Sequence, residues 1–238
     1  MTTLTKFLVT TLLSLCFFSC SVNYGVKGNG NVTIEDRNVK ESFTTIKATE
    51  GLNVYLTQSD TESITVEADE NLQELIITEV ENGILKIHTR ENIGKSTSKK
   101  VMVSFRDVSS ITSTSGSNIY STNTITVNNL ELKSTSGSNM TLDVNTTIIN
   151  SKSTSGSNLR LSGNTSQIAV EATSGSNVKA GDLNSESSEV KATSGANITI
   201  NTSKKLVAKA SSGGNVKYYG NPENVEKNDN VSGSISKR

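Results

Sequence analysis

The sequence is poor in the side chains from which most active sites are built. It contains no tryptophan, one histidine and one proline among 238 residues, and aromatic residues make up only 4% of the chain. It also lacks an excess of charge of one sign, because lysine plus arginine and aspartate plus glutamate each number 23. Nucleic-acid binders usually carry a clear basic excess. We therefore predict that the chain is neither an enzyme nor a nucleic-acid binder.

Hydrophobic residues are scarce as well, at 33%, and serine, threonine and asparagine take their place. So little apolar material often marks a disordered chain, but disorder also needs a high charge fraction, and here that fraction is only 19%. A fold that buries few side chains per residue and satisfies its backbone by strand pairing matches both values.

Residues 1–19 predict a lipoprotein signal peptide. A cationic start precedes an apolar run over residues 7–18 that is too short for a comfortable membrane span. Ser19 then precedes Cys20, and this pair resembles the bacterial lipobox, in which a small residue precedes an acylated cysteine; Cys16 matches that pattern less well. The alternative is an ordinary signal peptide with two incidental cysteines. The cysteines cannot form a disulfide framework, because the rest of the chain has none.

Acylation at Cys20 would attach the protein to a membrane through lipid, since stable anchoring needs more than one acyl chain and bacterial lipoproteins carry several on that cysteine. Residues 20–40 would then be the lipidated cysteine and a polar tether. Some Gram-negative groups mark surface export with acidic residues directly after the cysteine, and residues 21–25 contain none. We expect a lipid-anchored protein of the bacterial outer membrane, with the periplasmic face slightly favoured over the cell surface.

A pentad, Thr-Ser-Gly-Ser-Asn or a near variant, recurs six times between residues 114 and 215. Successive copies end 21, 19, 19, 20 and 18 residues apart. A near-constant interval of this length predicts a solenoid, because one such unit cannot bury its own apolar side. The final asparagines are Asn118, Asn139, Asn158, Asn177, Asn197 and Asn215.

The residue after each of these asparagines is apolar and the next is mostly polar, as in Ile119-Tyr120 and Leu159-Arg160. This period of two is typical of strands, and equivalent strands of successive repeats would pair in parallel. We predict an all-β fold, a right-handed parallel β-helix with about 18–21 residues per coil in the C-terminal half. The asparagines would form a structural ladder along one edge, with each amide bonding the next.

The small residues five and three places before each asparagine, as at Ser113 and Ser115, are expected in a narrow interior corner. The amino-terminal half would continue the coils less regularly, with a tight turn at Asn82-Gly83 and an exposed loop over residues 92–100. Residues 41–238 would form one β-helix domain, closed after Tyr218 by a C-terminal cap that hides the last sheet edge.

Three features together resemble a known bacterial family: the lipobox-like Cys20, the segment Phe43-Thr44-Thr45-Ile46 followed by Gly-Leu-Asn-Val-Tyr-Leu at 51–56, and the serial Ser-Gly-Ser-Asn coils. The chain resembles the "putative auto-transporter adhesin, head-GIN domain" family over roughly residues 40 to 235. The resemblance implies a right-handed β-helix and, by name alone, adhesion; it carries no catalytic residue over to this chain.

An outward column of lysines, broken by Glu171, predicts an anionic-ligand face, with more basic residues on a neighbouring column. Acidic polysaccharide or lipid phosphate groups would bind there. The alternative is that these lysines keep a stacked sheet soluble. Sugar stacking is not expected, because the chain lacks tryptophan and has only 5 tyrosines. The seven basic residues are Lys133, Lys152, Lys191, Lys209, Arg160, Lys179 and Lys217.

No cofactor or metal is predicted. His88 stands on the solvent side of its strand, without partners for a catalytic triad. The acidic residues near residue 65 lack the spacing of a calcium loop.

The predicted function is that of a non-enzymatic cell-envelope lipoprotein, either a scaffold or an adhesion-type binding module whose partner is a polysaccharide or an envelope protein. One alternative is a polysaccharide-acting β-helix enzyme, which would need acid, base and cationic groups in one groove. Another is an envelope signalling or stress partner that binds through the irregular residues 40–110.

Overall fold

The computed structural model describes residues 25–229 and 232–238, so the predicted signal peptide and Cys20 lie outside the described residues. Within these ranges the chain is built from strands and one short 3-10 helix, Glu70–Leu75. None of the helical structure described is long and apolar enough to cross a membrane. The strands are β1 (Val32–Arg37), β2 (Thr45–Ala48), β3 (Asn53–Gln58), β4 (Ser63–Asp69), β5 (Ile76–Glu81), β6 (Ile84–Thr89), β7 (Lys99–Phe105), β8 (Ser110–Ser113), β9 (Asn118–Ser121), β10 (Ile125–Ser134), β11 (Asn139–Ser153), β12 (Asn158–Ala172), β13 (Asn177–Ala192), β14 (Asn197–Ala210), β15 (Asn215–Tyr219), β16 (Asn224–Asp229) and β17 (Ser234–Lys237).

The strands stack as parallel coils, about seven in all, and the predicted all-β solenoid is confirmed. Before each Ser-Gly turn, β2, β8, β10, β11, β12, β13, β14 and β16 pair in that order. After the turn, the order is β3, β9, β11, β12, β13, β14, β15 and β17. The strands from β11 to β14 are long enough to contribute to both series.

The core is a set of apolar columns inside the coils. The residues that follow the six asparagines pair in register and are at most 1% exposed. Burying one such side chain contributes roughly 1.5–3 kcal/mol relative to leaving it in water. The strand alternation read from the sequence therefore corresponds to the division between core and solvent. This column consists of Ile119, Met140, Leu159, Val178, Ile198 and Val216.

Each pentad forms a tight turn in which two successive residues are left-handed. The serine in second place has φ between 51° and 55°, and the glycine after it has φ between 68° and 76°. Two positive φ values in a row define a type I′ turn. In the first copy, the amide of Ser117 donates to the carbonyl of Thr114 at 3.1 Å, and the amide of Gly116 donates to Ser136 of the next coil at 3.0 Å.

Of the two sets of small residues predicted to fill an interior corner, the serines three places before asparagine do not lie there. Ser115 and its equivalents are exposed, because the type I′ turn carries its two central residues outward. The set five places before asparagine is confirmed: Ser113 is fully buried and shares the corner with Ser117, on the other side of the turn. Their hydroxyls lie 2.8 Å apart, and Ser117 also donates to the carbonyl of Ala48 at 2.9 Å. Only small side chains fit this corner, and in later coils alanines such as Ala192 and Ala196 take the same buried positions.

A seventh turn of the same kind lies in the amino-terminal half, at Thr49-Glu50-Gly51-Leu52-Asn53. Glu50 has φ of 61° and Gly51 has φ of 68°, so this turn also has two left-handed residues. The Glu50 carboxylate accepts hydrogen bonds from the amide and hydroxyl of Thr89, at 2.6 and 2.9 Å. Strands β2 and β3 are therefore the first complete coil.

Residues 59–107 are inserted between this first coil and the second, which begins at β8. The inserted strands β6 and β7 pair in parallel with β2 and β3 and form a layer beneath the first coil. Strands β5 and β4 then pair with them in antiparallel orientation. Asn82 and Gly83 join β5 to β6 with φ of 52° and 74°, as expected for the predicted tight turn. The amino-terminal half therefore continues the parallel layers less regularly, as predicted, but the antiparallel strands β4 and β5 depart from the coil pattern.

The predicted tether of residues 20–40 is wrong over residues 25–37, which belong to the folded body. Strand β1 pairs with β4, and Val26 forms a bridge with Ile93. Because Ile93 is only 7% exposed, the predicted loop over residues 92–100 is also packed against the fold at this point.

A buried carboxylate fixes this region. Asp69 is fully buried and accepts hydrogen bonds from the amides of Ser98, Gly30 and Thr97 at 3.0, 2.6 and 2.8 Å. The Ser98 amide, helped by the other two, holds the pKa of Asp69 below its ordinary value despite the burial. One side chain therefore joins the segment before β1 to the loop before β7.

The predicted C-terminal cap is instead a further partial coil. Strands β16 and β17 pair in parallel with β14 and β15, and no strand among residues 25–229 and 232–238 pairs with their outer edges. All six residues of β16 are exposed. Charged side chains such as Glu226 and Lys227 protect this edge from unwanted pairing.

We expect Gly156→Ala to lower the stability of the protein. Gly156 has φ of 68°, and an added Cβ meets no atom within 4 Å, so the change tests backbone strain alone. An alanine in the left-handed conformation costs about 1–2 kcal/mol. Alanine also lowers the conformational entropy of the unfolded chain, which offsets part of this cost, so the free energy of unfolding should fall by about 1 kcal/mol. Urea denaturation followed by circular dichroism measures this.

The neighbouring change Ser155→Gly is the control. Ser155 has φ of 55°, so glycine relieves strain and should leave stability unchanged or raised. Equal denaturation midpoints for Gly156→Ala and the wild type would contradict the turn assignment.

Candidate functional site

The asparagines of the pentads stand in one column and bond to one another along the axis. The Nδ2 atom of each donates to the Oδ1 atom of the asparagine one coil earlier, at 2.8–3.3 Å. The column begins one coil before the pentads, at Asn53, which the sequence analysis missed because Glu50 and Leu52 replace the serines of the motif. Every coil is thereby held in register with its neighbours.

A second, shorter asparagine ladder lies on another edge of the coils. Asn184 donates to Asn164 at 3.2 Å, and Asn201 donates to Asn184 at 3.1 Å. No repeated motif flanks these asparagines, and β13 and β14 shift register before them, so their spacing is irregular. Together the two ladders stiffen the C-terminal coils on two edges.

Four of the predicted basic residues form one column before the turn, in the order Lys133, Lys152, Glu171, Lys191 and Lys209. The Glu171 carboxylate lies 3.3 Å from the Lys152 ammonium and 3.6 Å from that of Lys191. The two neighbouring lysines are therefore partly neutralised by one glutamate.

A neighbouring glutamate acts on the same column. The Lys209 ammonium lies 3.6 Å from the carboxylate of Glu189. All of these groups are about half exposed, so each pair contributes little to stability. The column is a row of four lysines, three of which are paired with glutamates, rather than a bare cationic ridge.

An open groove of about 610 Å³ lies along this column. Ala169 lies between Asn150 and Glu189 in the adjacent column, and its short side chain makes the depression. A second groove of about 360 Å³ shares these three residues and extends the depression sideways toward Lys205. The charged residues that line the larger groove are Glu131, Lys133, Lys152, Glu171, Glu189, Lys191 and Lys209.

Ion pairing sets the chemistry of the groove. The ammonium of Lys152, assisted by that of Lys191, lowers the pKa of Glu171. A general acid at neutral pH needs the opposite shift, so Glu171 is poorly suited to give up a proton. The groove is therefore not arranged for proton transfer from Glu171.

The other three predicted basic residues lie on the far side of the Ser-Gly turn. Arg160, Lys179, Thr199 and Lys217 pair in that order along the coils. Arg160 lies 2.8 Å from the carboxylate of Asp182. In the part of the chain that the structure describes, Lys179 and Lys217 have no carboxylate within 4 Å. The predicted basic residues thus form two columns with different charge balance.

Aromatic residues share this second column: the repeat alignment already puts Tyr120 in it, whereas Tyr55 was not foreseen. Tyr55 and Tyr120 are stacked with ring centroids 5.4 Å apart and planes inclined by 26°. Both are partly exposed, and they continue the register that leads through Thr141 to Arg160. The two tyrosines are 65 positions apart in the chain, so no local pattern joins them.

The described residues contain no cluster of three or more histidine, cysteine, aspartate or glutamate side chains that could hold a metal ion. His88 Nε2 lies 3.4 Å from the Glu79 carboxylate. The carboxylate of Glu67 lies 2.9 Å from both Lys100 Nζ and Ser98 Oγ; Lys100, and then Ser98, lowers the pKa of Glu67. These acidic groups bond to neighbours on their own sheet.

Residues 42–222 match the family model described as "Putative auto-transporter adhesin, head GIN domain". The chain belongs to this head GIN domain family. No protein of curated function matches the sequence.

Solved structures show the same fold as this head GIN domain protein. A "putative adhesin" from Bacteroides fragilis has a TM-score of 0.83 at 20% identity, with 90% of this chain and 100% of that chain covered. A "putative lipid binding protein" from Parabacteroides distasonis has a TM-score of 0.73 at 20% identity, with coverage of 90% and 99%. A "putative adhesin" from Parabacteroides merdae has a TM-score of 0.72 at 18% identity, with coverage of 90% and 98%. At these identities the likeness establishes the fold alone.

Removing one amide from the middle of the first ladder should destabilise the protein. Asn158→Ala deletes the bond that Asn158 gives to Asn139 and the bond that it accepts from Asn177. These bonds are exposed, so we expect the free energy of unfolding to fall by about 1 kcal/mol in urea denaturation. The control is Asn150→Ala, an exposed asparagine without a side-chain hydrogen bond to any described residue. A loss of the same size in both variants would contradict a role for the ladder.

The pKa of Glu171 should depend on Lys152. In Lys152→Ala the first cause of the lowered pKa is gone, so the Glu171 carboxylate should titrate at higher pH, closer to its ordinary value. In the wild type, the stabilisation from this group is present above the unfolded-state pKa and is lost as the pH falls through the lower folded-state pKa. NMR titration of the side-chain carboxyl carbon measures the shift. Lys133→Ala is the control and should leave the Glu171 titration unchanged; an unshifted titration in Lys152→Ala would contradict the pairing.

Proposed function

We propose that this protein is a non-enzymatic cell-envelope lipoprotein that works as a rigid, adhesion-type binding module. The observation that carries this proposal is the asparagine ladder from Asn53 to Asn215. The ladder keeps equivalent outward side chains of successive coils at a constant spacing of one coil. A rigid surface loses little conformational entropy when it binds, so weak repeated contacts add up to useful affinity. A long, repetitive partner such as a polysaccharide matches a surface of this kind.

The comparisons support the binding role in a coarse sense. The family description and two of the solved structures refer to adhesins, and a third refers to a lipid-binding protein. Those words describe the relatives, and we extend them to this chain as part of the proposal. A fold alone does not fix a function, so the test must address the chain's own surface.

The charge arrangement in the groove argues against a polysaccharide-cleaving enzyme. Such an enzyme needs one carboxyl group that stays protonated near neutral pH. Glu171 has a lowered pKa, and Glu189 lies within ion-pair distance of Lys209. Two of the groove's three glutamates are thus engaged by lysines on the same face, and this pairing makes Glu171 unsuitable as the acid.

The proposed anchor is Cys20, with the outer membrane as the site of attachment and its periplasmic face favoured. Because Gly25 and Val26 already pack against the loop before β7, only a few residues would separate the lipid from the folded body. A tether of this length would hold the β1 end of the solenoid close to the membrane. The β16 and β17 end would then point away from it.

We expect Cys20→Ser to abolish incorporation of an alkyne-tagged palmitate, because the thiol is the proposed acceptor. Labelling of growing cells, followed by gel fluorescence of the immunoprecipitated protein, measures this. Cys16→Ser is the matched control and should label like the wild type.

Loss of the label in Cys16→Ser, or its retention in Cys20→Ser, would contradict the proposed anchor. External protease applied to the same cells tests the face: we expect protection until the outer membrane is permeabilised. Cleavage of the protein on intact cells would contradict the periplasmic placement.

A further inference from the structure

The ring of Tyr219 lies against the outer surface of the sheet in a space left by a glycine. A Cβ added at Gly181 would lie 3.3 Å from Cε2 and 3.5 Å from Cδ2 of Tyr219, and 3.4 Å from Cγ2 of Thr199. Tyr219 belongs to β15 and Gly181 to β13, so the ring reaches across the intervening strand β14. Despite these contacts Tyr219 is 41% exposed, which leaves part of its ring available to a ligand.

Two lysines stand beside this ring. Lys217 stands two residues before Tyr219, and Lys179 stands two residues before Gly181. Both lysines therefore lie on the same outward face of the sheet as Tyr219 and Gly181. Thr199 stands between them in register, which places the two lysines two coils apart, at roughly 10 Å along the axis. Both are exposed, and neither has a carboxylate within 4 Å in residues 25–229 and 232–238.

The structure assigns to Tyr219, Lys179 and Lys217 a binding site for an acidic polysaccharide. This inference rests on the proposed binding function and names its ligand class. The exposed tyrosine ring offers an apolar surface to the C–H face of a sugar ring. The two ammonium groups offer charge-assisted hydrogen bonds to carboxylates carried by that sugar or by the next one. No local sequence pattern predicts sugar stacking here, because Tyr219 and Gly181, against which its ring packs, come from different coils.

The same face continues along the axis in a way that suits a polymer. The stacked pair Tyr55 and Tyr120 lies in the column that contains Lys179 and Lys217. Tyr120 stands three coils from Lys179, roughly 14 Å. An extended glycan that lies along the axis can therefore contact aromatic rings at both ends and cations between them. A simple anion would use only the lysines.

The face before the turn lacks this combination. There the carboxylates of Glu171 and Glu189 lie beside the lysines. A carboxylated ligand would have to displace these glutamates, and no tyrosine lies in that column. The lysine pair Lys191 and Lys209 therefore provides a matched control on the same molecule.

The test is calorimetric titration of the full chain, purified in detergent, with polygalacturonate oligomers at low salt. We expect Tyr219→Ala and the double variant Lys179→Ala/Lys217→Ala each to raise Kd about tenfold. Tyr219→Phe should bind like the wild type, because the ring face and not the hydroxyl makes the contact. Lys191→Ala/Lys209→Ala should also bind like the wild type. Urea denaturation of each variant separates loss of binding from loss of fold.

Three results would overturn the assignment. The first is an unchanged Kd in stably folded Tyr219→Ala or in the double lysine variant. The second is equal binding of neutral dextran, which would remove the role of charge. The third is equal binding of polyphosphate, or of vesicles rich in anionic phospholipid, because neither presents a sugar ring. Absence of any polygalacturonate binding by the wild type would overturn the ligand class alone, since palmitate labelling at Cys20 tests the envelope module separately.

Discussion

Parallel pairing between coils is the constraint on which the rest of the structure depends. Each residue pairs with its equivalent one coil later, at about 4.8 Å, so every column of side chains must be compatible with copies of itself. Asparagine meets this condition because its amide donates on one side and accepts on the other. Lysine does not, and the column from Lys133 to Lys209 accordingly contains Glu171 in its middle, with Glu189 beside it. The sequence repeats because the same residue types meet this condition in every coil.

The type I′ turns follow from the same constraint. A left-handed serine such as Ser155 is strained, but its turn also lets the amide of Gly156 donate to Ser174 of the next coil at 3.0 Å. The inner corner is then left to small side chains, either serines such as Ser153 and Ser157, whose oxygens lie 2.9 Å apart, or alanines such as Ala196 in later coils. A larger side chain at the corner would force successive coils apart. Strain at the turn and small residues inside it are therefore two consequences of one geometry.

The sequence predicted the coils well where the motif repeats and poorly elsewhere. Local alternation indicated which residues are buried, because burial in a strand depends on neighbours two positions away. The turn at Glu50-Gly51 escaped notice because its backbone, and not its side chains, resembles the pentads. The insertion of residues 59–107 and the stacking of Tyr55 on Tyr120 depend on contacts between distant parts of the chain. The serines three places before asparagine were misplaced because the inward and outward alternation of a strand does not hold inside a type I′ turn, where both central residues are exposed.

The two sides of the turn solve the problem of stacked charge in different ways, and this difference locates the candidate site. In water, two like charges one coil apart repel by roughly 0.8 kcal/mol, and two coils apart by roughly 0.4 kcal/mol. The face before the turn reduces the repulsion with glutamates, which engage Lys152, Lys191 and Lys209. On the face after the turn, Thr199 lies between Lys179 and Lys217, and Arg160 is paired with Asp182. The spacer lowers the repulsion without consuming either lysine, so only this face keeps ammonium groups available beside an exposed aromatic ring.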